Sequence, residues 1–172
     1  MKNTTLKYFV RMMLALAVVG VFFLVLPTSA EAATKADSRV ENALKKVECK
    51  YAITPLGNFR LSFRLDDGRG HLVFISSSTE KFGSLETRKI WATVMKSKEP
   101  LSQDLANKLL MDNIPMKLGA YELTRVDEGG YKIQFSARVD ASCTPAALMD
   151  AVRIVMITAD GKEKELTNAD EF

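Results

Sequence analysis

The chain carries a single histidine, His71, and two cysteines, Cys49 and Cys143, and this short inventory limits the chemistry open to it. Histidine serves as a general base or a metal ligand near neutral pH, but it needs partners. No second histidine, no Cys-x-x-Cys and no Asp-rich calcium loop accompanies it, so no metal site is expected and a redox enzyme is disfavoured. His71 stands beside Gly70 and reads as a turn or edge histidine. A Ser-His-Asp triad would have to use it, with Ser76-Ser77-Ser78 as the nearest serine cluster, yet no Gly-x-Ser-x-Gly elbow is present. The acid pairs Asp66-Asp67 and Asp127-Glu128 could supply a general acid and base. Each immediately precedes glycine, where aspartate is favoured by turn geometry instead. Gly68-x-Gly70 lacks the third glycine and following helix of a phosphate loop. The expectation is a protein that is not an enzyme and has no cofactor. The alternative is a small envelope ligand-binding protein or hydrolase with a cleft near His71.

Binding residues are more evident than catalytic ones. Trp91 alternates with Ile90 and Val94, which places it with Thr93 and Met95 on the second face of a strand, where an indole can anchor a contact. Leu109, Met111 and Met116 lie in or beside the middle helix, and methionine adapts to varied partners. Antiparallel sheet edges can also accept an extended peptide. The partner expected from these residues is a protein or peptide segment, with a homodimer as a further form.

The first thirty residues bear on location. Lys2, Lys7 and Arg11 precede the 15-residue apolar run Met12–Leu26, and Ala30, Ala32 and Ala33 follow Pro27-Thr28-Ser29. A basic start, an apolar middle and small residues at the end are the layout of a secretory signal peptide. The run is shorter than the roughly 20 residues of a spanning helix, so a membrane contact is expected only if the signal is uncleaved. Residues 1–33 are read as the signal and 34–172 as one domain, exported to a periplasmic or extracellular space. Residues 34–172 hold 21 basic and 20 acidic residues, a net of +1, which gives no electrostatic case for nucleic acid. Cys49 and Cys143 either pair, closing a long loop worth about 4–5 kcal/mol of chain entropy, or remain two buried thiols. Spacing alone does not choose between these.

The elements that must position these residues follow from periodicity. Ser38-Arg39-Val40-Glu41 fits a capping box for a helix with Val40, Ala43, Leu44 and Val47 on one stripe. Tyr51–Ile53 is a short strand. Phe59, Leu61, Phe63 and Leu65 alternate with polar residues, Asp67-Gly68 marks a hairpin, and His71–Ser76 returns. Thr79–Ser84 reads as a polar link to a strand over Thr87–Met95. Ser102 caps a helix running to about Asn113, with Leu105, Leu109 and Leu110 as its apolar face and Ala106 beside them. Lys117–Val126 and Tyr131–Val139 form a hairpin. Thr144-Pro145 opens a last helix that ends at about Thr158, with Asp160-Gly161 as the alternative of a hairpin turn. The order α-β-β-β-β-α-β-β-α is an α+β fold, an antiparallel sheet with helices packed on one face.

Several segments resemble the YbjN family of bacterial sensory-transduction regulators, which have the fold of type III secretion chaperones. These are Val73-Phe74-Ile75, Arg88-Lys89-Ile90-Trp91 to Val94, Leu109-Leu110-Met111-Asp112-Asn113, Met116-Lys117-Leu118-Gly119-Ala120-Tyr121-Glu122-Leu123, and Ala147–Ala159 with Asp160. The likeness runs from about Val40 to Glu165. It implies a compact, often dimeric domain that binds proteins rather than transforming small molecules, and it carries over no catalytic residue. The export signal sets this chain apart from the cytosolic secretion chaperones.

Overall fold

The computed structural model describes residues 35–127 and 129–172. The expected signal peptide, 1–33, and Glu128 of the Asp127-Glu128 pair lie outside the described residues. The elements are α1 (Ser38–Lys46), β1 (Ala52–Ile53), β2 (Phe59–Arg64), β3 (Gly70–Phe82), β4 (Leu85–Ser97), α2 (Gln103–Asp112), β5 (Ala120–Arg125), β6 (Tyr131–Asp140) and α3 (Pro145–Thr167). The six strands form one antiparallel sheet in the order β1-β2-β3-β4-β6-β5. The protein is therefore α+β, with β1 and β5 as sheet edges.

Period-two alternation sets the faces. Phe59, Leu61, Val73, Ile75, Ile90, Ala92, Val94, Ile133 and Phe135 point to one side and meet Leu148, Val152, Val155 and Ala159 of α3. Val40 and Leu44 of α1 join the same core. Among the described residues no helix packs on the other sheet face: Arg60, Phe74, Trp91, Lys132, Gln134 and Arg138 lie on it, alternating with the core residues.

Four expectations change in the structure. The N-cap of α1 is Asp37, not Ser38: its carboxylate accepts the Arg39 backbone N–H at 2.7 Å and also meets the buried Arg88 at 2.6 Å, a second task a serine hydroxyl cannot perform. Thr79–Phe82 is strand rather than link. A register shift between Ile75 and Thr79 lets β3 and β4 continue as a long ribbon to a turn at Gly83. Beyond Glu86 that ribbon has water on both sides, so its polar pattern imitates a loop. A bulge at Val94 turns Met95 toward the core and Lys96 onto the Trp91 face. Finally, α3 does not stop near Thr158 and Asp160-Gly161 is not a hairpin turn. The helix runs to Thr167 and ends at Asn168 in the left-handed conformation, φ 53°. Glycine within a helix costs about 1 kcal/mol relative to alanine. Here burial of Ala159 and the ion pairs of Asp160 and Glu163 with Arg69 offset it.

Candidate functional site: an apolar shelf on α2 and β5

Helix α2 starts where the Ser102 hydroxyl accepts the Leu105 N–H at 3.3 Å. Leu105 and Leu109, four residues apart, share one stripe, and Leu109 is 7 % exposed in the core. Leu110 is one step further around the helix and faces water at 66 % exposure, with Met111 at 64 % and Ile114 at 73 %. On the adjacent edge strand β5, Leu123 is 48 % exposed. Of these, Leu110 and Leu123 line a groove of about 170 Å³ between α2 and β5, with Leu101, Ala106 and Tyr121 as further walls. Exposed large apolar side chains beside the edge strand of the described sheet are a feature that protein-contact sites share.

The shelf is held rigidly. Asn113, directly after α2, accepts the Tyr121 N–H through Oδ1 at 2.7 Å and so fastens the helix to β5. Asp112 receives Lys108 at 2.8 Å and Lys162 of α3 at 2.7 Å, and these contacts hold its carboxyl below the usual range. The Lys162 ammonium stands 5.5 Å from the Tyr121 ring centre. Burial, reinforced by Asp112 and Glu165, pushes the Tyr121 phenol up to about 12. Gly119 brings the chain into β5 at φ +85°, and a Cβ there would lie 2.4 Å from the Ser136 carbonyl oxygen.

The residues singled out in the sequence are thus divided. Met111 is on the shelf. Leu109 is beneath it, in the core, and Met116 is half-buried against that core. Trp91 is on the opposite sheet face, stacked on Phe74 with ring centres 5.5 Å apart and planes at 15°. Glu122, adjacent in sequence to Tyr121, points to that opposite face and bonds Lys89 at 2.6 Å. Trp91 and α2 therefore do not form one surface. Leu110, Ile114 and Leu123 carry the shelf. Their signal was an apolar residue off the stripe and two more beside a proline and on an edge strand.

His71 is not at an edge. It is 2 % exposed and faces α3, whereas Ser76 and Ser78 line a groove on the open face. Ser77 is buried and occupied, its hydroxyl donating to the Gly57 carbonyl and accepting the Asp37 N–H. Among the described residues no histidine–serine pair is assembled. The fold does bring His71, Asp160 and Glu163 together, with ligand-type atoms within 4.8 Å of one another, a set the sequence spacing concealed. Arg69 already holds both carboxylates, Nε 2.7 Å from Asp160 and Nη2 3.2 Å from Glu163. The second Glu163 oxygen accepts the Glu171 N–H at 2.7 Å. Arg69 also donates to the Ala169 carbonyl at 2.5 Å, and Leu72 donates its N–H to the Phe172 carbonyl at 2.6 Å. The cluster acts as a buried ion-pair lock joining the β2–β3 turn, α3 and residues 169–172. His71 Nδ1 is 3.4 Å from Glu163, and neither ring nitrogen forms an aligned hydrogen bond. Burial pushes this imidazole below its ordinary value, against the opposing pull of Glu163 and Asp160.

Cys49 and Cys143 are both free, half-buried thiols in this structure, and burial raises each. Among the described residues no helix is long and apolar enough to cross a membrane. No protein-family model matches this chain, and no curated protein matches it.

Proposed function

We propose that this protein is an exported, non-enzymatic binding module of the YbjN type, with a type III secretion chaperone-like fold, that holds an extended or partly folded protein segment. The observation that carries this reading is the shelf of Leu110, Met111, Ile114 and Leu123, four large apolar side chains about half or more exposed on and beside α2 and on β5, the edge strand of the described sheet. An apolar client segment laid there gains roughly 25 cal/mol for each Å² of apolar area removed from water. The edge N–H and C=O groups of β5 add main-chain hydrogen bonds that do not depend on client sequence. A second copy of the chain is the alternative occupant, which gives a homodimer through the same residues. The signal-peptide pattern of residues 1–33 supports a periplasmic or extracellular place of work.

The test is suppression of aggregation of a reduced, unfolded client protein, run beside sedimentation analysis of the protein alone. The triple variant L110S/M111S/I114S keeps the core because all three side chains are exposed. Loss of both client protection and self-association in that variant supports the shelf. Retention of both removes it.

A further inference from the structure

The ladder between β4 and β6 places like charges directly opposite each other at two positions on the open sheet face, Lys89↔Arg138 and Lys96↔Lys132. Such cross-strand pairs are destabilising unless something compensates them. For the first pair the fold supplies the compensation. Glu122 reaches over from β5, 2.6 Å from Lys89 and 3.5 Å from Arg138, and the nearly buried Gln134 amide fixes it at 2.9 Å. Burial works against this carboxylate, but bonds from Lys89, Ser136 and Gln134 hold it down to about 2, so it stays charged.

Among the described residues, no carboxylate lies within 4 Å of Lys96 or Lys132. Lys96 is on this face because of the bulge at Val94, and its ammonium stands 5.5 Å from the Phe172 ring. Lys132 is half-buried, and burial together with Lys89 and Lys96 pushes it below its ordinary value. It lines an open groove of about 290 Å³ with Lys89, Trp91, Gln134 and Arg138. Glu80 at the rim is directed to Arg138 at 3.6 Å.

Lys96, directly opposite Lys132 in the ladder, lines the neighbouring groove with Tyr131. From this geometry we infer that a small organic acid binds at the Lys96–Lys132 pair, its carboxylate bridging the two ammonium groups as Glu122 bridges Lys89 and Arg138, and its flat apolar body lying along the Lys132 groove toward Trp91. The site is separate from the α2–β5 shelf. A peptide main chain is a poor occupant, because backbone groups in the middle of a sheet are consumed by the ladders and leave side chains alone to recognise a ligand. A phosphate polymer would meet Glu80 and Glu122 beside the lysines. Flat bodies of suitable size are sugar acids and aromatic acids, which share the carboxylate.

Trp91 is the only tryptophan in the chain, so its fluorescence reports this groove directly. The protein is titrated with glucuronate and with phenylacetate, and in parallel with inorganic phosphate and a single-stranded oligonucleotide. A saturable change with either acid supports the inference, and the acid that binds identifies the source. K132M and the exposed K96M should each weaken that binding by about tenfold or more, the loss expected for one charge-assisted contact. Unliganded K132M should melt no lower than wild type, since it removes a repulsion. No saturable change with either acid, binding unaltered in both lysine variants, equal binding of phosphate, or tighter binding of the oligonucleotide would each overturn it.

Discussion

Arg88, 1 % exposed within the sheet, places its guanidinium 2.6 Å from the carboxylate of Asp37, the residue that caps α1. The same guanidinium donates to the Ser76 and Ser77 carbonyls at 2.5 and 3.0 Å. One contact thus caps a helix, neutralises a buried cation and joins α1 to β3 and β4. Removing one member of a buried pair leaves the other charge uncompensated, which costs about 3–5 kcal/mol. Asp37→Ala should fall near the lower end, because the carboxylate is 14 % exposed. Asp37→Asn, which retains a capping oxygen, should recover part of that loss. Urea melts of the three proteins check the ranking.

Leu109 and Leu110 are neighbours with opposite roles. Leu109→Ala should destabilise by about 2–5 kcal/mol, the range for emptying a packed leucine site. Leu110→Ala should stay within about 0.5 kcal/mol of wild type, as exposed substitutions do. Thermal or denaturant unfolding separates them, and equal losses would show that α2 is seated the other way round.

Gly119 occupies a backbone conformation that L side chains avoid, with the Ser136 carbonyl in the path of a Cβ. Gly119→Ala should cost about 1–3 kcal/mol in backbone strain and disturb the first residues of β5. The Asn113–Tyr121 bond depends on that entry. Hydrogen exchange of the Tyr121 amide is the local readout and should accelerate in the variant.

Stability should fall in mild acid through His71. Burial holds its folded value below the unfolded value of about 6.5. The unfolded chain then binds more protons between the two values. Stability is full above about pH 6.5 and is lost as pH falls from there toward the folded value. The paired carboxylates, including Glu86 and Glu122 at about 2, add their own losses only in stronger acid. His71→Gln should flatten the stability curve between pH 7 and pH 5. An unchanged slope would show that His71 does not titrate in this window.

The sheet was largely legible because each strand with one wet face alternates strictly, as Phe59–Leu65 and Ile90–Val94 do. Three places were not. The outer part of the β3–β4 ribbon has no dry face, so Thr79–Phe82 carries no alternation to detect. The bulge at Val94 shifts parity by one residue, which moved Met95 to the core and Lys96 to the open face. The continuation of α3 depends on burying Asp160, Lys162 and Glu163, and charged residues are read as buried only once Arg69 and Asp112 are known to be in reach. The His71 cluster was hidden for the same reason, with His71 and Arg69 lying more than eighty residues before Asp160 and Glu163 in sequence. The shelf was partly visible. Met111, singled out from the sequence, is exposed on α2, whereas the apolar stripe read from the sequence is one residue too wide, taking Leu110 into the core face with Leu109.

The most direct measurement of the binding role is the protection assay with the unfolded client, wild type against L110S/M111S/I114S. Wild type should keep the client soluble in a dose-dependent way, and the variant should lose that protection while unfolding at the same denaturant concentration. Equal protection by the two proteins, with folding intact in both, would contradict the assignment of the α2–β5 shelf as the binding surface.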